Sequence, residues 1–73
     1  MFTEKQIVLY KIDGCSVCEQ ALSYLRRRDV SPVVYVVEKD TDSMAELVDM
    51  TRCTTFPQIF VDSVFIGGFS DLQ

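Results

Sequence analysis

The chain has no histidine. Imidazole acid–base catalysis is therefore excluded, as is every metal site that needs an imidazole ligand. Positive charge is also scarce. Seven Lys and Arg against eleven Asp and Glu leave a net charge of −4 and a pI near 4.5. Such a balance suits nucleic acid poorly, because phosphate contacts supply most non-specific affinity. The one basic run, Arg26-Arg27-Arg28, reads more simply as a solvated helix end that complements the helix dipole than as a phosphate patch. Long apolar runs are missing too: the longest, Val33 to Val37, is strand-sized and contains Tyr35, so no membrane span is expected. The opening residues, Met1 to Gln6, lack the basic segment, apolar run and cleavage site of a secretory signal, and a cytoplasmic location is expected. Three cysteines are too few, and odd in number, for a disulfide framework in that compartment. No internal repeat, low-complexity tract or linker interrupts the chain.

What remains is the composition of a small globule. Of 73 residues, 48% are hydrophobic and 25% charged, too apolar for a disordered chain. A single domain over residues 1–73 is expected, with a thin stability margin, since a chain this short buries only ~60% of its unfolded surface.

Ile7 to Tyr10 suits a strand covered on both faces. Lys11-Ile12-Asp13-Gly14 then reads as a turn. Cys18, Ala21, Leu22 and Leu25 fall at i, i+3, i+4 and i+7, the apolar stripe of a helix that ends between Asp29 and Pro32. Val33 to Val37, β-branched except for Tyr35, reads as a second buried strand. A second helical stripe comprises Met44, Leu47, Val48 and Thr51. Its cap is Ser43 in a capping box with Glu46, or alternatively Asp40 or Thr41. Gln58 to Val61 and Val64 to Ile66 are separated by only Asp62-Ser63, which predicts an antiparallel hairpin. Gly67-Gly68 closes it, and Ser70 could cap a final helix for which little chain remains. The order β-α-β-α-β-β implies an α/β fold. The first two strands are parallel through a right-handed crossover, and a mixed four-stranded sheet is packed by helices, the last of them short or absent.

Chemistry concentrates where strand 1 passes into helix 1, at Cys15-Ser16-Val17-Cys18. Near a βαβ pattern this spacing is a redox signature. A cysteine at a helix N-terminus has its thiolate favoured by unpaired N–H groups and the dipole, and a second cysteine one turn on can resolve a mixed disulfide. Half of a zinc site is the competing structural reading, but only one further cysteine is available to complete four ligands. Thr54-Thr55-Phe56-Pro57-Gln58 is the second feature. A proline entering a strand is either an ordinary trans initiator or a cis bond that turns the backbone of Phe56 outward toward an extended thiol peptide. The third feature is Gly67-Gly68-Phe69-Ser70-Asp71, a plain turn or a backbone cradle for a carboxylate. Cys53 reads as packing rather than as a regulatory thiol.

Together these segments resemble the glutaredoxin family: Val8-Leu9-Tyr10, Gly14 to Cys18, Thr55 to Phe60, and Ile66 to Leu72. The resemblance implies a thioredoxin-like fold. It also implies reduction of protein disulfides and glutathione mixed disulfides, with glutathione as electron donor. By position, Cys15 is the nucleophile and Cys18 the resolving thiol. Lys11, Thr55, Phe56, Pro57, Gly68, Phe69, Ser70 and Asp71 are the expected glutathione contacts, the last four at its γ-glutamyl end. The sequence departs from the family pattern at several places. Ser16-Val17 stand where Pro-Tyr is frequent, and Ile12 stands where a lysine is common. Cys53 replaces an arginine, Phe56 is bulkier than the usual valine, and relatives usually continue into a final helix beyond Gln73. Expected partners are glutathione and disulfide-bearing or glutathionylated proteins, with ribonucleotide reductase as a family-level candidate. A monomer is expected, with no nucleic acid or membrane partner and no metal. Two alternatives stay open: electron supply from a thioredoxin reductase, and a 2Fe-2S cluster held between two subunits with Cys15 as a ligand, a variant that Ser16 admits.

Overall fold

The computed structural model describes residues 6–72. Its elements run β1 (Ile7–Lys11), α1 (Ser16–Arg27), β2 (Val33–Val36), α2 (Asp42–Thr51), β3 (Gln58–Val61), β4 (Val64–Gly67) and α3 (Phe69–Leu72). The sheet order is β2-β1-β3-β4. β1 and β2 are parallel, and β3 runs antiparallel to both β1 and β4. The expected β-α-β-α-β-β order is present, and the final helix is short, as expected. No helix among the described residues is long and apolar enough to cross a membrane.

Alternation along the strands sends side chains to two opposite cores. Leu9 and Ile59 pack with the α1 stripe Ala21, Leu22 and Leu25, joined by Phe69 and Leu72 of α3. On the other face Val37, Leu47 and Phe60 form a second cluster with Val8, Tyr10, Met44 and Phe65. Helix α1 therefore covers one face and α2 the other. Leu9 and Ile59 are fully buried, each contributing about 1.5–3 kcal/mol through removal of apolar surface from water. The Asp62-Ser63 pair has φ of 49° and 70°, as a two-residue hairpin turn compatible with strand twist requires.

Four expectations need correction. The Val33–Val36 strand is not buried: all four residues are exposed, Val36 by 54%. Among the described residues β2 pairs only with β1 and stands at the sheet edge, so its apolar composition reflects β propensity rather than burial. Lys11 belongs to β1 and not to the turn. Thr41, not Ser43, caps α2, its Oγ1 accepting from the Met44 N–H at 3.2 Å. Ser70 lies inside α3 rather than capping it. There the Asp71 N–H donates to the Gly68 carbonyl at 3.1 Å, and Gly68 N–H donates to Asp71 Oδ2 at 2.9 Å.

Candidate active site

Asp13-Gly14 forms the turn that carries β1 into α1, with Gly14 at φ +76°, a conformation that glycine adopts without steric cost. Cys15 follows as the N-cap of α1 in extended geometry, φ −92° and ψ 104°. Its side chain takes the role that Ser or Asp plays at most helix starts: Sγ accepts the Cys18 N–H at 3.1 Å. Cys18 lies one turn on and points inward, fully buried, while Cys15 is half-buried. The two are joined as a disulfide with Cα atoms 5.3 Å apart. Position alone thus makes the sulfurs unequal. One is reachable from solvent at the positive end of a helix, and the other is enclosed behind it.

The loop between α2 and β3 faces this pair. The Phe56–Pro57 peptide bond is cis, and the Phe56 carbonyl oxygen stands 3.9 Å from Cys15 Sγ. Among the described residues no hydrogen bond engages the Phe56 N–H. The Phe56 backbone thus stands beside the reactive sulfur with its N–H unengaged. Pro57 is buried and Thr55 exposed. The Gly68 turn comes up against the same loop: a side chain added at Gly68 would lie 3.5 Å from the Pro57 carbonyl oxygen. The structure therefore gathers Cys15, Cys18, Phe56, Pro57 and Gly68 into one region, with Asp71 tied to Gly68.

Other expected contacts are placed differently. The Lys11 ammonium is paired with the Glu19 carboxylate of the first turn of α1, and its side chain is only 20% exposed. Arg52, next to Cys53, pairs with Asp49 at 3.7 Å. The Phe69 ring packs edge-on against Tyr24 with centroids 5.6 Å apart, so one side of it is taken up by contact with α1, although the residue stays half-buried. Cys53 is half-buried, its Sγ 3.3 Å from Thr55 Oγ1. Among the described residues no group of three or more His, Cys, Asp or Glu side chains converges as a metal site.

Three features escaped the sequence reading. Glu19 was visible only as a polar residue on the outer face of α1, and its pairing with Lys11 spans two elements. Gly67, at φ +124°, has Asp71 packed where a side chain would begin, its Cγ 2.7 Å from that position. Gln58 is fully buried, with both ends of its amide hydrogen-bonded. A glutamine opening an otherwise apolar strand was the one available signal.

Comparison with known proteins agrees with this arrangement. The family model for glutaredoxin matches residues 7–66. Glutaredoxin 1 of Rickettsia bellii is 31% identical over 70 residues, which cover 90% of this chain and 71% of that protein. Glutaredoxin 1 of Francisella tularensis, complexed with cacodylate, superposes with a TM-score of 0.82 at 22% identity, over 94% of this chain and 88% of its own. A buckwheat glutaredoxin–glutathione complex superposes with a TM-score of 0.73 at 21% identity, over 92% of this chain and 64% of its own.

Proposed function

The chain belongs to the glutaredoxin family of thiol–disulfide oxidoreductases and has its thioredoxin-like fold, and from that premise we propose that it reduces glutathione mixed disulfides and protein disulfides with glutathione as electron donor. The observation that carries this reading is the setting of Cys15. Its sulfur caps a helix, accepts the Cys18 N–H and faces the open backbone of Phe56.

In the reduced protein the Cys15 thiolate is the attacking group, held by the Cys18 N–H and the α1 dipole. It attacks one sulfur of the substrate disulfide. That S–S bond breaks, the far sulfur leaves as a thiolate and takes up a proton, and a mixed disulfide forms on Cys15. The Phe56 N–H and carbonyl align the cysteinyl backbone of the bound half as an added strand would. Two routes complete the cycle. Cys18, as thiolate, attacks Cys15 Sγ, releases the second half and closes the Cys15–Cys18 disulfide. Two glutathione thiolates then reopen it in succession and leave as glutathione disulfide. Alternatively, when glutathione itself is on Cys15, a second glutathione attacks it directly and Cys18 is not needed.

For glutathione, Thr55, Phe56 and Pro57 meet the cysteinyl backbone, and the Gly68–Asp71 turn meets the γ-glutamyl group. Asp71 Oδ2 is occupied by the Gly68 N–H, which leaves its other oxygen for the ligand ammonium. A buckwheat glutaredoxin of the same fold was solved in complex with glutathione, which supports glutathione as a ligand of this fold. With Lys11 held by Glu19, we assign it a secondary part toward the glycyl carboxylate.

The test is a coupled assay with glutathione, glutathione reductase and NADPH on a peptide–glutathione mixed disulfide. NADPH consumption well above a protein-free control is expected. Absence of glutathione-driven turnover, with turnover restored by a thioredoxin reductase, would transfer the electron supply to that donor.

A further inference from the structure

Gln58 is the one polar side chain among the described residues that is fully buried. It follows the cis Phe56–Pro57 bond and opens β3. Its Nε2 donates to the Cys53 carbonyl at 2.7 Å, and its Oε1 accepts from the Thr51 hydroxyl at 2.9 Å. Thr51 Oγ1 also accepts the Cys53 N–H at 3.3 Å and lies 3.0 Å from the Leu47 carbonyl, the other acceptor within reach of its single proton. The amide thus closes a ring over residues 53–58, clasping the end of the loop where it leaves α2 to the end where it enters β3. Phe56, whose carbonyl faces Cys15 Sγ, stands within that ring.

Apolar packing would be the ordinary occupant of this space. A neutral amide is costly to bury unless both its ends are paired, because a lost partner leaves an unsatisfied buried group. Hydrogen bonds are also directional where apolar contact is not. The clasp therefore specifies where the loop stands as well as how tightly it packs.

We propose that Gln58 is a positioning residue for the exchange reaction: its amide, with Thr51, holds the Phe56 backbone at the distance from Cys15 at which a substrate's cysteinyl backbone can pair while its sulfur is attacked. This rests on the reading of Phe56 as the docking strip for that backbone. It does not require glutathione as donor.

The test uses the pre-reduced full chain and two disulfide probes, followed by stopped flow. N,N′-diacetylcystine diamide carries peptide groups but no γ-glutamyl or glycyl end, and 2-hydroxyethyl disulfide carries no peptide group. Each is reduced by two electrons to two thiols as Cys15 and Cys18 become a disulfide, the two protein thiols supplying the protons. Gln58→Met, which fills the space without pairing Cys53, is expected to slow the diamide probe about tenfold, the scale of one lost buried hydrogen bond, and to change the hydroxyethyl probe less than about twofold. Gln58→Glu restores the clasp only as the neutral acid, which can donate to Cys53 and accept from Thr51. A buried carboxyl favours that form up to a raised pH, so its diamide rate relative to the parent falls as pH rises. Thr51→Val, a smaller change in the same clasp, should act in the same direction if Gln58→Met fails to fold. Ile59→Val serves as a control for loss of core packing and should slow neither probe selectively. Equal slowing of both probes by Gln58→Met and Thr51→Val, or slowing of neither, would overturn the proposal. Failure of the glutathione reading would appear separately, as a parent that reduces the diamide probe but not through glutathione.

Discussion

Replacing Gly67 by alanine tests how the last turn of the chain is built. Gly67 ends β4 at φ +124°, and a Cβ placed there would meet the Asp71 carboxylate, with Asp71 Cγ at 2.7 Å and its Cβ at 3.1 Å. Two costs follow. The backbone conformation is one that side-chain-bearing residues rarely adopt, worth about 1–3 kcal/mol. In addition Asp71 must swing away, losing the 2.9 Å bond from Gly68 N–H, a capping contact worth about 0.5–2 kcal/mol. The sum is roughly 1.5–5 kcal/mol, a large share of the stability of so small a fold. At about 4–8 °C per kcal/mol for a domain of this size, the midpoint should fall by roughly 6–40 °C. Gly68 supplies the contrast. Its φ is not positive and an added Cβ meets only the Pro57 carbonyl at 3.5 Å, so Gly68→Ala should change stability by less than about 1 kcal/mol. Thermal and urea unfolding of the oxidised protein by circular dichroism measures both. The two positions should also be coupled: in an Asp71→Ala background Gly67→Ala should cost only its backbone part, about 1 kcal/mol less than in the parent. Equal stability of the two glycine variants, or an unchanged cost of Gly67→Ala without Asp71, would refute this account of the turn.

Three further outcomes are expected. Cys15→Ser should abolish reductase activity, whereas Cys18→Ser should keep turnover of glutathione mixed disulfides and lose two-thiol reduction of protein disulfides; equal loss from both on a glutathionylated peptide would count against the division of roles. Asp71→Asn, which keeps an oxygen for the Gly68 N–H but removes the charge, should raise the glutathione KM by roughly 2–10-fold at low salt and less at high salt, and an unchanged KM at every salt concentration would remove Asp71 from the site. Glu19→Gln should release Lys11 and lower the glutathione KM about twofold without altering attack on a neutral disulfide, an effect read from the same steady-state curves and contradicted by a higher KM.

Much of the site was legible from local pattern. The i, i+3, i+4, i+7 spacing of Cys18, Ala21, Leu22 and Leu25 is a property of the helix itself, and these four are its buried residues. A cysteine pair three apart at a strand-to-helix passage places one sulfur at the cap and the other a turn inside, because the helix rise dictates that separation. Two residues between strands permit little but a tight hairpin, and Asp62-Ser63 forms one. Each of these rests on dihedral preference or periodicity, which neighbours in sequence impose on one another.

What the tertiary structure decided depends on which elements stand side by side. Val33 to Val36 have the composition of a central strand, yet strand order leaves β2 one neighbour and exposes it. Composition records how well a residue tolerates a pleated backbone, not how many strands flank it. Lys11 finds Glu19 across the β1–α1 junction, and Phe69 turns inward onto Tyr24. Gln58 reaches back to Cys53 and Thr51 across a loop. Ion pairs, ring contacts and buried amide bonds act over a few ångströms in space, so they are specified only once the sheet has ordered its strands and each helix has taken its face.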